Sequence, residues 1–229
     1  MFYPFFDSSI IILLPGIILA LYAQNKVQST YHKYSKIYSE RGLTGGQAAR
    51  MILDKYGLND VRIETVGGRL SDHYDPRSRI VRLSNDVYQG TSIAAIGVAA
   101  HEVGHAIQHG TGYFPLFLRN TIIPVTQIGS NLSFPLLLIG ILFSSPGLVN
   151  AGIILFSTVV LFQLITLPVE FNASSRVLGI LDNLEILDNQ EIKDTKKVLS
   201  AAALTYVAAA LMAFLNLLRL LVLSRNFRD

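Results

Sequence analysis

"AAHEVGHAIQHG", residues 99–110, places three of the chain's five histidines at intervals of four, with a glutamate directly after the first. Residues four apart lie on one face of an α-helix, about 6 Å from each other. At that spacing His101 and His105 can both reach one zinc ion at about 2.0–2.1 Å. Glu102, beside the first histidine, can take a proton from a metal-activated water and pass it to a leaving amine. The run is H-E-x-x-H, and small residues from Ala94 to Ala100 precede it, which suits a helix packed closely inside a fold. A solvated polar stripe is the competing reading, and those apolar neighbours argue against it. Gly104 reads as keeping the helix surface flat where a substrate or a neighbouring strand approaches. His109 lies about 12 Å along the axis from His101, too far for one ion to bind both, and reads as a supporting or surface histidine.

The composition around this motif is that of a membrane protein. Of 229 residues, 51% are hydrophobic and only 15% charged, where a soluble domain carries about a quarter charged residues. The absence of cysteine excludes disulfides and thiolate metal sites. A net charge of +3 is too small to point to a nucleic-acid partner. Four apolar segments, Phe5–Ala23, Val125–Phe143, Val149–Val169 and Ala201–Leu223, approach the roughly 20 residues that cross a bilayer core. None shows a polar face at helical period that would solvate it as a soluble core helix. The first lacks a basic n-region and a small-x-small site, so it reads as a retained anchor rather than a cleaved signal peptide.

Residues 24–119 hold 12 Lys/Arg against 8 Asp/Glu and read as a compact polar region. Thr44 is placed to cap a helix through Gln47–Tyr56 that ends at Gly57. Val61–Val66 and Arg79–Leu83 read as strands, with a turn at Gly67-Gly68. Thr91 or Ser92 then caps the long H-E-x-x-H helix, and Gly110 is its expected stop. The implied class is a mainly α membrane protein with about four transmembrane helices and a zincin-like α+β catalytic region. Its parts are an anchor (1–23), the catalytic region (24–119), a transmembrane hairpin (120–169), a further helix (170–200) and a C-terminal transmembrane helix with its tail (201–229). The hairpin turn "SSPGLVN" carries no charge, whereas Lys26, Lys33, Lys36, Arg119, Arg176, Lys193, Lys196 and Lys197 flank the other segment ends. The positive-inside rule therefore predicts a multi-pass cell-membrane protein with a cytoplasmic catalytic region, against the weaker pull of Arg225 and Arg228.

A catalytic zinc usually takes three protein ligands and keeps one position open. Beyond His101 and His105, the candidates are Glu170, His73 and scattered surface carboxylates. His73 lies in "SDHYDPRSRIVRLS", where an Asp-Pro turn is one reading. In the other, His73 or Tyr74 faces the zinc and stabilises an oxyanion, while the strand at Arg79–Leu83 offers its edge to an extended peptide.

Three stretches together, "SDHYDPRSRIVRLSNDVY", "AAIGVAAHEVGHAIQH" and "LPVEFNASSRVL", resemble the YugP-type membrane zinc metallopeptidases of bacteria, nearly end to end. The layout is more distantly similar to HtpX-type and CAAX prenyl endoproteases, which set a glutamate ligand in an E-F-x-A-D pattern beyond membrane helices. The resemblance implies a zinc endopeptidase acting on peptide or membrane-protein substrates, with Glu102 as general base and Glu170 completing the metal site of His101 and His105. Here the pattern reads Glu170-Phe171-Asn172-Ala173-Ser174, so serine replaces the aspartate expected to brace a histidine. Pro168 is expected in the first turn of a new helix bearing Glu170. Arg176 is expected to pair with a carboxylate or steady the substrate. The alternative is a non-proteolytic zinc-binding membrane scaffold, and either reading leaves room for a homo-oligomer or a membrane partner protein.

Overall fold

The computed structural model describes residues 8–68 and 71–225. Phe5 and Arg228, named above, lie outside the described residues. A 3-10 turn (Ser8–Leu13) leads into α1 (Leu14–Tyr34), followed by α2 (Gly45–Lys55), β1 (Arg62–Val66), β2 (His73–Asp75), β3 (Ile80–Ser84) and α3 (Asn85–Tyr88). The chain continues through α4 (Ile93–Gly110), α5 (Phe114–Leu142), α6 (Pro146–Asn183) and α7 (Asn189–Arg225). It divides into two compact units: one of Met1–Gln24, Leu118–Pro168 and Thr205–Asp229, the other of Asn25–Phe117 and Val169–Leu204.

The first unit consists of apolar helix. Four helices, Ser9–Tyr34, Phe114–Leu142, Pro146–Asn183 and Asn189–Arg225, are long and apolar enough to cross a membrane. Phe134, Phe143 and Ile154 are 63%, 77% and 67% exposed, so the unit turns bulky apolar side chains outward, as a bilayer requires. With no hydrophobic drive between helices in lipid, close backbone approach supplies the packing. Gly152 shows this: a Cβ there would lie 2.7 Å from Leu137 Cγ and 2.9 Å from the Ser133 carbonyl. Leu137, Val149 and Ile153 form a small core with Leu217 and Leu220 against it. Arg219, the cation in the fourth apolar segment, donates from Nε to Ser9 Oγ at 3.2 Å.

In the second unit, α2 and α4 pack together over fully buried Ile52, Leu53, Ile96 and Ile107. Thr44 forms the expected cap, reciprocated by Gln47 as a capping box. Ser92 rather than Thr91 caps α4, accepting from the Ala95 N–H at 3.2 Å. Gly110 is the last residue of α4 rather than its stop, and the left-handed position falls at Gly112, with φ +65°. The three-stranded sheet has the order β1-β3-β2, with β1 and β3 parallel and β2 antiparallel to β3.

Two expectations are corrected. Strand β3 is central and paired on both sides, so the sheet's edges are β1 and β2 rather than β3; β2 leads into the Asp75-Pro76 turn, which forms with Asp75 Oδ1 accepting from the Arg77 N–H at 2.9 Å. Three residues are too few for a periodicity signal, and acidic side chains hold the strand instead. Asp72 accepts from the Ser84 N–H at 2.7 Å. Asp75 accepts from the Ser78 hydroxyl at 2.6 Å and from Arg82 Nη1 at 3.1 Å. These bonds, Ser78 first, hold the Asp75 carboxyl well below the usual carboxylate range. The second correction concerns Pro168, which starts no new helix: α6 runs through it without a break. Transmembrane helices tolerate interior proline because neighbouring helices and hydroxyl side chains satisfy the freed backbone groups, and α5 likewise contains Pro124 and Pro135.

Candidate metal centre

Two helices of the second unit build the centre. From α4 come His101 and His105, one turn apart, and from α6 comes Glu170. Gly104, between the histidines, lets α6 approach: a Cβ there would lie 2.9 Å from Val177 Cγ1 and 3.1 Å from the Ala173 carbonyl. The flat surface predicted at Gly104 thus receives a helix, not a substrate or a strand. Glu170 Oε2 lies 3.2 Å from His101 Nε2 and 3.5 Å from His105 Nε2. One ligand atom from each residue lies within 4.8 Å of the others. Ligands about 2.0–2.1 Å from a tetrahedral zinc stand about 3.3–3.4 Å apart, which the two separations from Glu170 match.

The proton positions around His105 follow from groups with only one hydrogen-bonding role. The Val169 carbonyl can only accept, so the Gln108 group facing it at 2.8 Å is the Nε2 amide. Gln108 Oε1 therefore faces His105 Nδ1, at 3.0 Å, and that nitrogen carries the proton. Gln108 Nε2 also donates to Asn172 Oδ1 at 3.0 Å, and Arg176 Nε donates to the same oxygen at 2.8 Å. His105 Nε2 is thereby the ring nitrogen turned toward Glu170 and available as a metal ligand. Ser174 Oγ lies 3.1 Å from His101 Nδ1 and occupies the bracing position expected of an aspartate. Glu170 is only 3% exposed. A buried carboxylate beside two imidazoles calls for positive charge among them, on the rings themselves or on a bound cation. The donor set, two imidazoles and a carboxylate, is one that zinc takes.

Glu102 is partly exposed and adjoins His101. Burial raises its carboxyl above the ordinary range, while the charge of His101 and the backbone N–H of Tyr74 pull the other way. Strand β2 therefore touches this residue through its main chain. Tyr74 donates or accepts at 2.8 Å with His109 Nδ1, and His109 is not among the converging ligand atoms. His73 is exposed, with Nδ1 2.8 Å from the Ser71 carbonyl. Side chains alternate faces along a strand; Tyr74 packs against the unit's core, and the structure does not bring His73 to the metal ligands. Among the described residues Arg176 pairs with no carboxylate; it bonds Asn172 and lies 5.6 Å from the Tyr113 ring centroid.

Sequence reasoning overlooked Gln108 and Asn172. Gln108 left one signal, an amide three residues after a histidine and on the same helical face. Asn172 left none that separates it from any helical asparagine.

The model of the family described as "Putative neutral zinc metallopeptidase" matches residues 9–225. The chain is 52% identical, over 92% of its length and 94% of the relative's, to "Putative membrane protease YugP" of Bacillus subtilis (strain 168). No solved structure matches it.

Proposed function

The chain belongs to the family described as "Putative neutral zinc metallopeptidase", and from that premise we propose that it is a multi-pass membrane endopeptidase of the H-E-x-x-H type. The observation that carries this reading is the convergence of His101, His105 and Glu170 beside an acidic residue with a raised pKa. When bound, zinc supplies a Lewis acid for the scissile carbonyl and lowers the pKa of water. The chain's own residues do the rest. Glu102 takes the proton of the attacking water and returns it to the leaving amine. Gln108 and Ser174 hold the imidazole rings so that both Nε2 atoms point inward. The free edge of β2, at Glu102, offers main-chain groups to an extended peptide. His73 has no part in this reading, because its ring turns to the Ser71 carbonyl. The basic segment ends support a cytoplasmic catalytic unit.

The test is metal content of detergent-purified protein together with casein cleavage, with and without a chelator. Bound zinc and chelator-sensitive cleavage are expected for the native chain. Glu102→Gln is expected to keep the zinc and lose cleavage. Zinc binding with no cleavage of any peptide or membrane-protein substrate would favour a scaffold, and full activity in Glu102→Gln would remove this residue from the chemistry.

A further inference from the structure

A groove of about 960 Å³ opens in the second unit between the C-terminal half of α1 and the N-terminal part of α7. That volume lies in the range of small-ligand clefts, about 300–1,000 Å³. Five lysines line it, Lys26 and Lys33 from α1 and Lys193, Lys196 and Lys197 from α7, with hydroxyl side chains between them and no carboxylate. The spacing is helical. Lys26 and Lys33 are two turns apart on one face, and Lys193, Lys196 and Lys197 share another. Asp194, beside Lys193 in the chain, is already engaged by Lys197 at 2.7 Å. Among the described residues, Lys26, Lys33, Lys193 and Lys196 have no carboxylate within ion-pair distance.

The groove changes character along its length. Lys26 follows Ala23, the end of the first apolar segment, by three residues, a rise of about 5 Å. On α7 the lining passes from the lysines to Ala201 and Leu204, where the fourth apolar segment begins. Cations at one end and alkyl surface at the other complement a phosphodiester that carries acyl chains. A free phosphate would use only the first.

We propose that this groove binds the headgroup of an anionic phospholipid from the leaflet bordering the second unit, its phosphate among the lysines and its chains leaving past Leu204. The proposal rests on the reading that α1 and α7 cross the bilayer. Alkaline carbonate washing of membranes checks that premise separately, because a spanning chain stays in the pellet whatever the groove binds.

The groove itself is tested on the full chain in detergent by native mass spectrometry. Phosphatidylglycerol and phosphatidylcholine are titrated separately, and inorganic phosphate serves as competitor. Phosphatidylglycerol is expected to bind at least about tenfold more tightly than phosphatidylcholine, since two or more lysines reach its charge. The variant K193Q/K196Q is expected to weaken it about 25-fold, from about fivefold per lysine. K193R/K196R should keep it, and K55Q, which removes a charge from α2 outside the groove, should leave it unchanged. Should K193Q/K196Q fail to fold, K26Q reads the same groove from the opposite helix, with about a fivefold loss expected. Equal retention of the two lipids, unchanged binding in the groove variants, or an equal loss in K55Q would overturn the proposal. Displacement by millimolar inorganic phosphate would overturn the lipid as ligand and leave a small-anion site.

Discussion

Gln108 gives the sharpest test of the metal centre, because it can be altered without touching a ligand. Its side chain is fully buried and makes three bonds: it accepts from His105 Nδ1 at 3.0 Å and donates to the Val169 carbonyl at 2.8 Å and Asn172 Oδ1 at 3.0 Å. Gln108→Leu keeps the volume and removes all three. The Val169 carbonyl lies within α6 and Asn172 Oδ1 keeps its bond from Arg176, so the main loss falls on the His105 Nδ1 proton. An unsatisfied buried donor costs about 1–3 kcal/mol. Loss of an outer partner of a histidine ligand weakens metal binding about 10–100-fold, or about 1.4–2.7 kcal/mol. Gln108→Glu separates the two effects. A carboxylate still accepts from His105 and makes its ring more basic, yet it cannot donate to Val169 and so opposes that carbonyl. Zinc affinity should therefore survive in Gln108→Glu while stability falls by about 1–3 kcal/mol. The assays are competition against a calibrated chelator in detergent and thermal unfolding with and without zinc. Zinc binding within twofold of native in Gln108→Leu would refute the reasoning, as would equal loss in the two variants, for then Gln108 only fills space.

Further outcomes follow from the same geometry. Glu170→Ala should lose most bound zinc and His73→Ala should keep it, as read by metal analysis after desalting; the reverse would move the third ligand upstream of α4. Gly104→Ala drives a Cβ to 2.9 Å from Val177 and 3.1 Å from the Ala173 carbonyl, so thermal unfolding should report a loss of about 1–3 kcal/mol, and an unchanged melting temperature would contradict the close approach of α4 and α6. Because the chain has no cysteine, single cysteines report sidedness: one at Ser145 should label from outside intact cells and one at Ser78 should not, and the opposite pattern would turn the catalytic unit outward.

Features written in local spacing were legible without the fold. The four-residue interval of His101 and His105 makes them neighbours on any α-helix, so the pair needed no tertiary information. The apolar segments declared themselves by length, since a bilayer sets the same requirement for every chain. Thr44 and Gln47 form their cap within a single turn. Glu170, 69 residues beyond His101, was legible only through the resemblance; on spacing alone it competed with His73. Tertiary structure decided what depends on distant segments meeting. It put β3 in the middle of the sheet and left β1 and β2 as its edges, because strand order is set by pairing and not by chain order. It carried α6 unbroken past Pro168, because other groups can satisfy the backbone that a proline releases. It set Gln108 against the Val169 carbonyl, 61 residues away, and so fixed the proton on His105. No sequence window contains both partners of that bond, and an amide's orientation depends on which partner can only accept.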